Sequence, residues 1–134
     1  IPLKVPHRDE FSETVGFRIE TAEKSLLFIP DIDKWPLWDR DIRAEVARVD
    51  VALLDATFYK DGELPNRNMS EIPHPFVAET ISLFAPLPES EKRKVKFIHF
   101  NHTNPLIFEG PEREQVKKLG YAVATEGERI ELKK

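Results

Sequence analysis

Four histidines and three aspartates carry the chemical interest of this sequence, because each falls where an apolar run begins or ends. His7 stands in Val5-Pro6-His7, ahead of the alternating run Thr14 to Ile19. Asp31 and Asp33 follow Leu26-Leu27-Phe28-Ile29-Pro30, Asp55 closes Val51-Ala52-Leu53-Leu54, and His74 lies between Pro73 and Pro75 where a helix is expected to start. The string His99-Phe100-Asn101-His102-Thr103-Asn104-Pro105 ends the apolar run Val95 to Ile98 and puts polar groups where a core would otherwise continue, which costs free energy unless each is partnered. Neutral imidazole and carboxylate are ligands of Zn, Fe and Mn in hydrolytic sites, where the ion brings the pKa of bound water to about 7. The chain has no cysteine, so thiolate ligands, disulfides, iron–sulfur clusters and a cysteine nucleophile are excluded together. Taken singly, the same residues have ordinary readings. His74 fits a helix cap, Asp31 fits a turn, Trp35 and Trp38 fit core or pocket wall, and Lys92-Arg93-Lys94 fits a solvated edge.

The elements that must position these groups follow from periodicity. Thr14 to Ile19 alternates apolar with polar, and Ser25 to Ile29 and Asp50 to Asp55 are short continuous apolar runs, so all three read as strands, the last two buried on both faces. Lys94 to Phe100 reads as a central strand. Pro36 to Arg48 carries Leu37, Ile42 and Val46 at near-helical spacing, a helix is expected from Pro75 through Phe84, and Glu112 to Leu119 lies between Pro111 and Gly120 as a helix with start and stop signals. Tyr59 to Pro73 is a polar loop, and Tyr121 to Thr125 with Arg129 to Leu132 forms a terminal hairpin around Glu126-Gly127-Glu128. Strands alternating with helices predict an α/β layered sheet with parallel or mixed pairing. Side chains at strand ends then converge on one rim of that sheet.

The 134 residues suffice for one domain. Hydrophobic residues at 40% against charged residues at 33% place the chain with globular proteins, and no apolar run approaches the roughly 20 residues that a bilayer requires. A net charge of −4 gives no general attraction to phosphate backbones or anionic lipid, so a nucleic-acid or membrane partner is unsupported. The start Ile1-Pro2-Leu3 carries neither an initiator Met nor a charged leader, which predicts a cytoplasmic chain that is a piece of a larger protein.

Two family resemblances organise the candidate residues. Leu27-Phe28-Ile29-Pro30-Asp31-Ile32-Asp33 looks like the Asp-x-Asp nucleophile motif of haloacid-dehalogenase-type phosphatases, but Lys34-Trp35-Pro36 stands where that family has a small flexible residue and Thr or Val. The broader resemblance is to the C-terminal half of a metallo-β-lactamase-fold hydrolase, nearest the branch related to pyrroloquinoline-quinone biosynthesis protein B. Val5-Pro6-His7 with Thr14 to Ile19 resembles the segment of that superfamily's third-motif His. Phe28 to Asp31 resembles the strand delivering the bridging Asp, and Asp55-Ala56-Thr57-Phe58 with Pro73-His74-Pro75 resembles the succeeding strand, loop and His. His99 to Pro105 resembles the last ligand motif and carries the flavour of the quinone-biosynthesis branch.

The resemblance implies half of an αββα sandwich, a mixed sheet with flanking helices. It also implies a divalent metal, zinc foremost with Fe and Mn as alternatives, held by His7, Asp31 and His99. His74 is then the proton donor and, with Asp31, catalytic, while Asp55 and His102 orient the ligands. The superfamily's His-x-His-x-Asp-His string is absent. A companion N-terminal segment or chain is therefore expected to complete the sandwich and the ligand set, and this chain alone is expected to be a poor enzyme. The implied reaction is attack of a metal-activated hydroxide on an ester, phosphodiester or lactone-like bond of a small molecule. The rival class is a non-catalytic half-domain with a relic site. An uncovered apolar sheet face also predicts dimerisation, strand exchange or a companion segment.

Overall fold

The computed structural model describes residues 1–8 and 11–133. Its strands are β1 (Pro2–Val5), β2 (Thr14–Glu20), β3 (Ser25–Ile29), β4 (Val51–Asp55), β5 (Val95–Ile98) and β6 (Ala122–Val123). The helices are α1 (Ile42–Ala47), α2 (Val77–Phe84), α3 (Glu89–Lys92) and α4 (Pro111–Lys118). The strands form one mixed sheet in the order β1-β2-β3-β4-β5-β6, antiparallel from β1 to β3 and parallel from β3 to β6. Five of the six strands therefore run the same way, β2 being the exception. The carboxyl ends of β1, β3, β4 and β5 share one rim, and the sequence puts His7, Asp31, Asp55 and His99 at or just past those ends.

Register decides which side chains share a face. Leu27, Ala52 and Val95 are cross-strand neighbours, as are Ile29 with Leu54 and Leu54 with Phe97, and all are buried. They form one core with Ile42 and Val46 of α1, Val77 and Phe84 of α2, and Val116 of α4, so the helices cover this face. On the opposite face Val15, Phe17 and Ile19 are exposed and Phe28, Leu53 and Ile98 are half-buried. Gly16 sits where β2 presses on β3: a Cβ there would stand 2.9 Å from the Phe28 carbonyl oxygen and 3.0 Å from Ile29 Cγ1. Among the described residues no helix is long and apolar enough to cross a membrane.

Several expected boundaries differ for identifiable reasons. Pro36 to Arg48 is a 3₁₀ turn at Trp35–Leu37 followed by α1, because the Asp41 carboxylate accepts from the Arg43 N–H at 2.9 Å and restarts the helix at Ile42. The helix expected from Pro75 begins at Val77, where the Glu79 carboxylate accepts from the Phe76 N–H. The terminal hairpin does not form. β6 pairs in parallel with β5, and residues 129–132 are not a strand. Their backbone is tied to the β2–β3 turn instead, with the Thr21 hydroxyl donating to the Leu132 carbonyl at 2.7 Å. β1 and α3 extend the expected order of elements, so His7 follows the first strand instead of preceding it.

Candidate metal centre

Each part of the rim site is fixed by local chemistry. His7 lies in the loop after β1, which is held to the loop after β3 by the Asp33 N–H donating to the Pro6 carbonyl at 2.7 Å. Asp31 lies just past the end of β3. His74 arrives on a loop whose Phe58, Met69, Ile72 and Phe76 pack into a small apolar cluster of their own, so the polar segment 59–73 has a fixed course. His99 leaves β5 with φ +65°, a left-handed conformation uncommon for residues with a Cβ and concentrated at functional sites.

These loops bring His7, Asp31 and His74 together: one ligand atom of each lies within 4.8 Å of the other two. Asp31 Oδ1 is 3.1 Å from His7 Nε2 and 3.4 Å from His74 Nδ1. The two imidazole rings are 5.2 Å apart. Asp31 Oδ1 and His7 Nδ1 are buried atoms without a hydrogen-bond partner. A buried carboxylate oxygen without a hydrogen bond, beside His7 Nε2 and the His74 ring, fits a cation bound there, since His and Asp are the donor types that hold Zn, Fe or Mn.

Asp55 is fully buried and organises the group from beneath. Its Oδ1 accepts from the Thr57 N–H at 2.9 Å and from the Thr57 hydroxyl at 2.7 Å. Its Oδ2 accepts from the Ile32 N–H at 3.1 Å and meets His74 Nδ1 at 2.8 Å. A carboxylate in that position orients an imidazole and fixes its tautomer. The Thr57 hydroxyl also reaches His74 Nδ1 at 3.3 Å and His99 Nδ1 at 3.1 Å.

The sequence expectations therefore map unevenly onto the site. His7 and Asp31 meet, and Asp55 contacts His74. His74, expected as a proton donor, lies inside the cluster of potential ligands. His99, expected as a ligand, is exposed, with its ring 6.5 Å from that of His74 and the Thr57 hydroxyl between them. His102 is exposed in the following turn. Two residues on, Asn104 is buried and donates to the Ala56 carbonyl at 2.7 Å while accepting from the Leu106 N–H. Thr57 and Asn104 escaped sequence reasoning. Their signals were an Asp two residues before a Thr at a strand end, and an Asn before Pro in a run that turns back into the core. A cleft of about 260 Å³ opens over His7, Thr57 and His74.

A single mixed sheet, helices on one face and a His/Asp cluster at the carboxyl rim define a metallo-hydrolase-like half-domain of α/β class. The chain belongs to the beta-lactamase superfamily domain family, whose profile matches residues 2–100. Among curated relatives it is similar to coenzyme PQQ synthesis protein B. It is 31% identical over 121 residues to the protein of Gluconobacter oxydans, covering 86% of this chain and 39% of that protein. It is 28% identical over 134 residues to that of Cupriavidus taiwanensis, covering 94% and 43%. Among solved structures it is similar to zinc-bound PqqB from Methylobacterium extorquens, with a TM-score of 0.71 and 26% identity over 90% of this chain and 42% of that one. The chain thus spans about two fifths of the length of the relatives it matches. The mixed sheet with its helices on one face is the half-sandwich that the resemblance implied, and the relationship to the quinone-biosynthesis branch holds.

Proposed function

We propose that this chain supplies half of a divalent-metal site for hydrolysis, with zinc as the ion and His7, Asp31 and His74 as its ligands. Iron and manganese are the alternatives that the same donors would accept. The observation that carries the reading is the buried, unbonded Asp31 Oδ1 facing His7 and His74. The zinc in the PqqB structure supports it. When bound, the ion would lower the pKa of water and supply hydroxide for attack on an ester, phosphodiester or lactone-like bond. In this scheme Asp55 holds the His74 ring in place, Thr57 keeps His99 beside it, and His99 stands at the edge of the site where a second ion or the substrate would come.

The remaining donors come from a companion segment, on the same parent chain or another, packed on the face that exposes Val15, Phe17 and Ile19. The short reach of this chain along its relatives supports that arrangement. Equilibrium dialysis against zinc tests the site. Wild type is expected to retain the ion and Asp31→Asn to lose it, and equal uptake by the two would refute the assignment. The hydrogen bond between His74 Nδ1 and Asp55 favours a second role for His74, as a proton carrier oriented by its carboxylate.

A further inference from the structure

The cleft over His7 and His74 has two unlike sides. Phe58, Ile72 and Pro73 form an apolar wall, and Arg8 and Arg67 supply the charge. No carboxylate lines the cleft among the described residues. Neither arginine has an ion pair or hydrogen bond to a described acid; Arg48, Arg113 and Arg129 share that state, while Arg18, Arg40, Arg43 and Arg93 each hold one. Asp31 and Asp55 face the two imidazoles from outside this lining, so the positive charge on the cleft wall is that of the two guanidiniums, neither with a described acidic partner. Two such guanidiniums draw anions.

Guanidinium stays protonated at any physiological pH and presents a planar fork of N–H donors that matches the oxygens of a carboxylate or phosphate. A volume of about 260 Å³ admits a small molecule or one end group. The apolar wall suits a ring or short hydrocarbon body.

We infer that the substrate of this site carries an anionic head, carboxylate or phosphate, on an apolar body, and that Arg8 and Arg67 bind the head while Phe58 and Ile72 pack the body. The inference rests on reading this cleft as the substrate side of the proposed metal centre. The arginines are substrate-positioning groups and hold no metal. They select which molecules reach the centre and fix the distance from the anionic head to the bond presented there.

Calorimetric titration of the metal-free chain tests this, because anions then have only the protein to bind. The probes are benzoate, phenyl phosphate and uncharged benzamide. At least one anion is expected to bind about tenfold or more tighter than benzamide, with Arg67→Gln and Arg8→Gln each weakening it about fivefold and the double variant about twentyfold. Arg67→Lys is expected to fall between wild type and Arg67→Gln, keeping the charge without the fork; a Lys variant no better than Gln would show that charge does not hold the head. Preference for benzoate or for phenyl phosphate identifies the head group. Equal binding of benzamide, unchanged affinity in the double variant, or no anion binding would each overturn the inference. Zinc dialysis reports on the metal reading independently, since neither arginine is in its ligand set.

Discussion

The substitution Asp55→Asn bears directly on how the rim is built. The carboxylate is fully buried and accepts from four groups: the N–H and hydroxyl of Thr57 on one oxygen, the N–H of Ile32 and the His74 ring on the other. Asparagine keeps one oxygen and replaces the other with a donor. Turned to satisfy Thr57, it sets its NH₂ against the Ile32 N–H and His74 Nδ1. Turned the other way, it sets NH₂ against both donors of Thr57. Either choice loses two hydrogen bonds of about 1 kcal/mol each and leaves a buried donor unpaired at about 1–3 kcal/mol. The expected cost is therefore about 3–5 kcal/mol, a large share of the 5–15 kcal/mol typical of a domain. At this chain length that corresponds to a fall of about 10–18 °C in Tm. Thermal unfolding followed by circular dichroism measures the loss, and zinc dialysis on the folded variant below its transition measures the loosening of His74, expected as weaker binding. A variant within about 1 kcal/mol of wild type with undiminished zinc affinity would show that Asp55 neither holds the rim together nor orients His74.

Three further substitutions probe separate parts of the argument. His74→Ala is expected to lower zinc affinity in dialysis if the ring is a ligand; full zinc retention with loss only of hydrolytic rate in the assembled protein would reassign it to proton transfer. Gly16→Val drives a branched side chain against the Phe28 carbonyl and Ile29 Cγ1, and is expected to cost about 2–3 kcal/mol in urea unfolding, since β2 cannot withdraw without breaking its pairing with β3; a neutral result would mean that β2 is free to shift. Burial pushes the Tyr121 phenol up to about 12, while the unfolded chain titrates near 10. Because the fold favours the neutral phenol, its contribution is complete below about pH 10 and is lost as the pH rises from about 10 through about 12. Absorbance titration near 295 nm checks this. Tyr121→Phe is expected to reduce that slope to the part left by Tyr59, whose phenol is also pushed up by burial and by Glu112, without loss of stability at neutral pH, because the Tyr121 phenol oxygen is buried without a partner.

The parts of the fold legible in the sequence are those where one local signal decides. β3 and β4 are unbroken apolar runs stopped by Pro30 and Asp55, and α4 starts at Pro111 and ends beside Gly120. β1 was not legible, because a four-residue edge strand beginning at Pro2 acquires its identity from pairing with β2. Arg129 to Leu132 has the alternation of a strand, yet its backbone is used by Thr21 and Lys24. For the site, position at a strand end was enough to single out His7, Asp31 and Asp55. That His74 would come within 4.8 Å of His7 and Asp31 was not readable, because it depends on a loop folded over its own cluster of Phe58, Met69, Ile72 and Phe76. Arg67 belongs to the same case: it comes to the cleft from a loop that looks simply polar in sequence.

The two rims of the sheet are closed by different means, and this bears on assembly. At the β2–β3 turn the chain satisfies itself, with Thr21 and Lys24 taking the backbone carbonyls of residues 131 and 132 and Lys96 pairing with Glu128. At the opposite rim the loops are braced to one another by Asp33 to Pro6, Ile32 to Asp55, Asn101 to Thr57 and Asn104 to Ala56. These bonds join backbone to backbone or to buried side chains, and none needs an ion to form. The loops that carry the candidate ligands are thus braced to one another, so an ion bound at the rim would sit on a frame held by the protein's own hydrogen bonds. On the proposed ligand set, three donors from one chain would leave a tetrahedral shell incomplete. The open face carrying Phe17 and Ile19 lies on the same sheet as the candidate site, so a single partner segment packed on the face could also reach the rim. One docking event would then cover apolar surface and supply ligands together, which predicts that metal affinity rises when the open face is covered.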